Sequence, residues 1–129
     1  HDAVILMGTD SPQLTPAAIA EAIERLERRP GACVIGPALD GGFYLFAAGI
    51  PLAPERWTGV AYSEATTLND LVGGIRGGGV PVEFLPRRTD TDTFDDLEAL
   101  RTELAALSAP SLSQTRLSDW LTGELQGQT

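Results

Sequence analysis

Val4-Ile5-Leu6-Met7-Gly8-Thr9-Asp10-Ser11-Pro12 passes from a continuous apolar run, begun at Ala3, into a polar turn. An unbroken β-prone run of this kind is the pattern of a strand covered on both faces, as in a parallel sheet. Thr15-Pro16 then offers an N-cap residue and a proline at the first helical position. The helix that follows carries Ile19, Ile23 and Leu26 on one face and ends at Arg28-Arg29-Pro30-Gly31. A second short apolar run, Ala32 to Ile35, completes a β-α-β unit. The pattern predicts an α/β fold with a mostly parallel sheet flanked by helices.

The rest of the chain continues the alternation. Gly36 to Gly42 is turn-rich, Phe43 to Ala47 reads as a strand, and Pro51 to Gly59 is irregular. Ser63 reads as the N-cap of a helix bearing Leu68, Leu71, Val72 and Ile75, which Gly77-Gly78-Gly79 stops. Val80 to Leu85 forms another strand. Thr93 with Asp96 resembles a capping box opening a helix with Leu97, Leu100, Leu104 and Leu107 on one stripe. A last helix, Gln114 to Leu125, presents Leu117, Trp120, Leu121 and Leu125 and is expected to dock on the core. One domain over residues 1–129 is predicted, with residues 108–129 as a peripheral linker and helix.

Composition narrows the function classes. With 129 residues, 43% hydrophobic and 21% charged, the chain suits one soluble domain with a working core. Nine basic residues against eighteen acidic ones leave a net charge of −9, which argues against nucleic acid or an anionic membrane as partner. All nine basic residues are arginine, so no lysine can hold a phosphate as a compact ammonium. Cys33 stands alone in an apolar run and reads as a small packing residue, as do Trp57 and Trp120. No apolar stretch approaches the roughly 20 residues that span a bilayer. No basic leader opens the chain, so the cytoplasm is the expected compartment.

The chemistry-bearing residues sit at strand ends. Asp10 follows the first strand, and Asp90 and Asp92 follow another in Phe84-Leu85-Pro86-Arg87-Arg88-Thr89-Asp90-Thr91-Asp92-Thr93. In open α/β sheets ligands bind outside the carboxyl ends of the strands, where such acids can share one divalent cation. The plainer readings are a turn at Asp-Ser-Pro and acids that complement a helix dipole at Asp90 and Asp92. Between these ends lies Gly36-Pro37-Ala38-Leu39-Asp40-Gly41-Gly42-Phe43-Tyr44. Its paired glycines allow close approach of backbone N–H groups to a phosphate or sugar, although the same Asp-Gly step also makes a hairpin turn. His1 is terminal and is given no role.

Taken together, Gly8-Thr9-Asp10-Ser11-Pro12-Gln13-Leu14-Thr15, Gly36-Pro37 with Asp40-Gly41-Gly42-Phe43-Tyr44, Tyr62-Ser63 and Asp90-Thr91-Asp92-Thr93 resemble the bacterial DUF2064 group. That group belongs to the nucleotide-diphospho-sugar transferases of GT-A type and is similar to the molybdenum-cofactor and phospholactate guanylyltransferases. The resemblance covers roughly residues 3–107. It implies a metal-dependent glycosyl- or nucleotidyl-transferase fed by a nucleotide sugar or nucleoside triphosphate and an unknown small acceptor. Asp10, Asp92 and Asp90 would hold Mg²⁺ or Mn²⁺, which would neutralise the phosphates in place of lysine. Gly8, Thr9, Gly41, Gly42, Tyr62 and Ser63 would line the ligand site, and Asp40 is the carboxylate to test for a catalytic role beside Asp10. Tyr62 stands where relatives often have tryptophan.

Relatives usually begin with a strand and a basic glycine-rich loop that holds the nucleotide, and no such segment precedes His1. The resemblance therefore implies a fragment, a truncated relative that borrows the missing part, or an inactive remnant. A sheet without its first strands would expose an apolar edge, so at least a dimer is expected. Two further classes stay open. Asp90-Thr91-Asp92-Thr93-Phe94 superficially matches an aspartate-nucleophile phosphatase pattern, with Phe94 in place of its Thr or Val. A non-catalytic binding or assembly module on a truncated fold is the main alternative.

Overall fold

A computed structural model describes residues 1–127. The elements run β1 (Val4–Met7), α1 (Pro16–Arg28), β2 (Cys33–Pro37), β3 (Phe43–Ala48), α2 (Glu55–Thr58), α3 (Thr67–Gly77), β4 (Val82–Phe84), α4 (Asp96–Ala105) and α5 (Leu112–Gln126). The last two residues of the predicted 108–129 tail lie outside the described ones.

The sheet has the order β1-β3-β2-β4. β3 pairs antiparallel with both β1 and β2, and only β2 and β4 pair in parallel. The expected β-α-β unit is therefore split, because β3 inserts between β1 and β2. The mostly parallel sheet holds for strand direction, with β1, β2 and β4 pointing the same way, and fails for pairing. The cause is local: the loop from Pro37 to Gly42 turns β3 straight back along β2, with Ala38 N–H donating to Gly42 O at 3.0 Å.

β2 and β3 are buried almost throughout, and their alternating side chains feed two cores. On one face Cys33, Ile35, Phe46 and Ala48 meet Leu68, Leu71, Val72 and Ile75 of α3. Trp57 joins this face with its ring edge-on to Phe46, at 4.7 Å between centroids. On the other face Val34, Leu45, Ala47 and Leu85 meet Ala22 and Leu26 of α1. Each fully buried aliphatic side chain here contributes roughly 1.5–3 kcal/mol. Cys33 packs as expected, and its burial raises the thiol pKa. Gly36 leaves room for the Tyr44 ring, which a Cβ at that position would meet at 2.4 Å.

Four sequence expectations need correction. β1 is an edge strand, not a strand covered on both faces: Val4, Leu6 and Met7 are 54%, 52% and 43% exposed. The buried face of α1 is Ala18, Ala22 and Leu26, while Ile23 stands exposed over the groove beside β1. α5 docks on α4, not on the sheet, through Leu121 against Leu100 and Leu104, with Leu97, Leu107 and Leu117 around them. Trp120, expected to pack, is exposed. Gln114 ties this helical pair to the first loop by donating to Pro12 O and Leu14 O at 3.0 and 2.8 Å.

Candidate functional site

Because β1, β2 and β4 run the same way, the residues after their carboxyl ends share one rim of the sheet. Asp10 follows β1, Asp40 follows β2, and Asp90 and Asp92 follow β4. All four line one pocket of about 570 Å³, together with Gly42, Phe43, Tyr62, Ser63, Glu64, Ala65 and Thr67. Carboxylate oxygens of Asp40, Asp90 and Asp92 lie within 4.8 Å of one another. Asp10 faces the same pocket outside that trio, so Asp40 stands where the sequence reading had put Asp10.

Short hydrogen bonds fix these side chains. Asp40 closes its own turn by accepting from Gly42 N–H at 2.9 Å. Asp90 accepts from the buried Ser11 hydroxyl at 2.9 Å, and Thr91 N–H donates to Asp10 O at 2.9 Å, which ties the β1 and β4 ends together. Gln13, also buried, donates to Thr89 O at 2.7 Å. Asp96 accepts from the N–H groups of Asp92 and Thr93 and from the Thr93 hydroxyl, the reach-back half of the predicted capping box. Those bonds hold the Asp96 pKa below the usual carboxylate value.

The pocket is electrostatically loaded. Partial desolvation and the carboxylates of Asp40, Asp92 and Asp10 raise the Asp90 pKa, against the bond from Ser11. Desolvation and the charges of Asp40, Asp10 and Asp96 likewise raise Asp92. No arginine is among the lining residues. Like charges gathered without a counter-charge favour binding a cation, and all-oxygen donors suit a hard divalent ion.

The wall opposite the acids is the loop from Ala61 to Thr67. Thr67 is buried and clamps it, its hydroxyl donating to Ala61 O at 2.7 Å and accepting from Glu64 N–H at 3.2 Å. Ser63 is not a helix cap as predicted. It sits at φ +60°, strained for a non-glycine residue, and α3 begins four residues later. Gly41, at φ +95°, packs so closely on this loop that a Cβ would lie 2.0 Å from Ala65 O.

Of the ligand-lining residues read from sequence, Gly42, Tyr62 and Ser63 line the acidic pocket and Gly41 lines a smaller one next to it. Gly8 and Thr9 line neither; Gly8 N–H pairs instead with Tyr44 O at 3.0 Å. Phe43, part of the candidate loop in sequence but with no role assigned there, joins the lining, as do Glu64, Ala65 and Thr67, which the sequence does not single out. Their only signal was proximity in the chain to Gly42 and Tyr62-Ser63. No described helix is long and apolar enough to cross a membrane.

Comparison with known proteins agrees with the α/β fold. Residues 1–64 match the family described as "uncharacterized protein conserved in bacteria (DUF2064)". A crystal structure from Desulfovibrio desulfuricans G20, described as a "putative nucleotide-diphospho-sugar transferase", superposes with a TM-score of 0.75 at 28% sequence identity. The match covers 96% of this chain and 55% of that one, so the chain spans little more than half the length of that protein. No curated protein matches the chain. Residues 1–64 are thus similar to the DUF2064 family, and the chain as a whole carries a nucleotide-diphospho-sugar transferase-like α/β fold.

Proposed function

We propose that the protein works as a metal-dependent transferase on a nucleotide-activated donor, a nucleotide sugar or a nucleoside triphosphate, and a small acceptor. The observation that carries this reading is the trio Asp40, Asp90 and Asp92 at the common rim of three co-directed strands. The donor set fits Mg²⁺ or Mn²⁺: three hard carboxylates, two of them with pKa values raised by desolvation and by neighbouring carboxylates. Asp40, Asp90 and Asp92 would hold the ion, with Asp10 beside them. When bound, it would neutralise phosphate charge and stabilise the charge that builds on the leaving group.

The chain's own residues supply position. Gly42 and the Thr67-clamped loop leave open space in front of the carboxylates, and Tyr62 and Phe43 give that space aromatic walls. Asp40 is the carboxylate best placed to take a proton from an acceptor hydroxyl, because it is exposed and its turn aims it into the pocket. Calorimetric titration of Mn²⁺ with nucleotides and nucleotide sugars tests the reading. Metal-dependent donor binding that disappears in Asp90→Asn and Asp92→Asn supports it, and silence across the donors defeats it.

A second reading, a non-catalytic assembly module, is favoured by the exposed apolar edge at β1. It predicts self-association without any response to donors.

A further inference from the structure

We infer that a second, basic pocket beside the aspartates receives a small oxyanion, a phosphoryl or carboxylate group, of the acceptor. The inference rests on the transferase reading. The two pockets share one wall, because the backbone of the turn after β2 alternates its residues between them. Asp40 and Gly42 face the acidic pocket, whereas Leu39 and Gly41 face one of about 190 Å³ that also holds Asn69 and Arg87. Ala65 borders both.

Arg87 is placed there by the backbone. Residues around Arg88 extend the sheet: Ala38 and Arg88 bridge in parallel, Leu39 N–H donates to Arg88 O at 2.9 Å, and Arg88 N–H donates to Pro37 O at 3.0 Å. In such an extended segment adjacent side chains point to opposite faces. Arg88 is half-buried, with its Nε shielded from solvent, and Arg87 is exposed and lines the small pocket. In a chain with eighteen acidic residues and four aspartates close by, no described carboxylate lies within ion-pair distance of Arg87. The turn keeps the guanidinium away from those aspartates.

An unpaired guanidinium that lines a small pocket together with a carboxamide offers the planar fork of donors that phosphoryl and carboxylate groups accept. It also answers a problem of charge. An anionic acceptor would be repelled by the aspartate rim, and Arg87 is the cation that lines a pocket next to it. An oxyanion held at Arg87 and Asn69 would leave the far end of the acceptor reaching past Ala65 toward the carboxylates.

Titrating the ¹⁵N-labelled protein separately with inorganic phosphate and with acetate tests this. The expected result is saturable shifts at the Asn69 carboxamide, the Gly41 amide and the Arg87 side chain. The affinity read at Asn69 and Gly41 should weaken at least about tenfold in Arg87→Ala and be retained in the control Arg116→Ala. Saturation by phosphate alone assigns a phosphoryl group, and by acetate alone a carboxylate. Absence of both responses, or shifts equal in Arg87→Ala and the parent, overturns the inference. Arg87 is exposed, so the variant should keep its melting temperature and its Mn²⁺ binding at the aspartates. Loss of Mn²⁺ binding in the parent protein would instead sink the transferase reading, so the two failures are distinguishable.

Discussion

Gly41 carries more of the site than its lack of a side chain implies. It has a positive φ, its carbonyl accepts from Leu68 N–H at 2.8 Å, and it presses on Ala65, so it joins the turn after β2 to the start of α3. Gly41→Ala would meet both an unfavourable backbone region and a backbone oxygen that has no room to retreat. A loss of about 1–3 kcal/mol is expected in denaturant unfolding, with weaker metal binding as Asp40 shifts. An unchanged unfolding midpoint would contradict this. Asp90 makes the opposite case, a residue that costs stability for the sake of the pocket. Its carboxyl titrates higher in the folded protein than in the unfolded chain, so between those two pKa values the folded state holds more protons. Stability therefore falls as pH rises through that window, and the penalty is complete above it. Asp90→Asn keeps an acceptor for Ser11 and removes the repulsion, so it should melt higher than the parent at neutral pH. The difference should shrink on acidification toward the ordinary carboxylate range. Melting curves across pH check both signs.

At the scale of elements, the Ala61 to Thr67 loop holds its shape through one buried hydroxyl. Thr67→Val keeps the volume but removes both bonds, to Ala61 O and Glu64 N–H. A cost of about 0.5–1.5 kcal/mol is expected, since these groups lie near solvent. Hydrogen exchange should quicken at residues 62–67 and stay unchanged in β2 and β3; equal exchange in both places would remove Thr67 from its clamping role. The same scale shows what the sequence made legible. The helices were readable because Leu68, Leu71, Val72 and Ile75, or Leu97, Leu100 and Leu104, repeat at helical spacing and bury accordingly. Asp10, Asp90 and Asp92 were readable because strand ends are where such sheets place ligands. β3's place in the sheet was not, since a short apolar run such as Phe43 to Ala48 states its burial and not its neighbour. Ser63 misled because serine two residues after Ala61 and ahead of an apolar periodic run has the form of a cap. Only the tertiary fit against Gly41 reveals the tight loop it occupies. In sequence Asp40 reads as a turn residue and as a carboxylate to test for a catalytic role. Its grouping with Asp90 and Asp92 depends on strands β2 and β4 being neighbours, which no local pattern encodes.

For the whole molecule, β1 and β4 form the two edges of the sheet. Among the described residues no strand lies beside the outer edge of β1, and its apolar side chains open into a groove on each face. Val4 and Leu6 line one groove with Phe46, Ala48 and Trp57, and Ile5 lines the other with Ile23 and Leu26. The edge lacks the devices that usually block strand addition, with no lysine, proline or bulge between Val4 and Met7. Two copies related by a two-fold axis at Ile5 would pair their edges antiparallel, setting Val4 of each opposite Leu6 of the other and continuing the sheet across the axis. The net charge of −9 on each copy opposes this at long range, so association should strengthen as salt screens the repulsion. Leu6→Lys places a charge at the middle of the proposed seam without disturbing a buried contact, because Leu6 is 52% exposed. Sedimentation velocity over a concentration series should show self-association in the parent, rising with salt, and monomer alone in Leu6→Lys, with equal melting temperatures. A parent protein that stays monomeric at high concentration and high salt defeats the edge pairing, and so does a Leu6→Lys variant that associates as strongly.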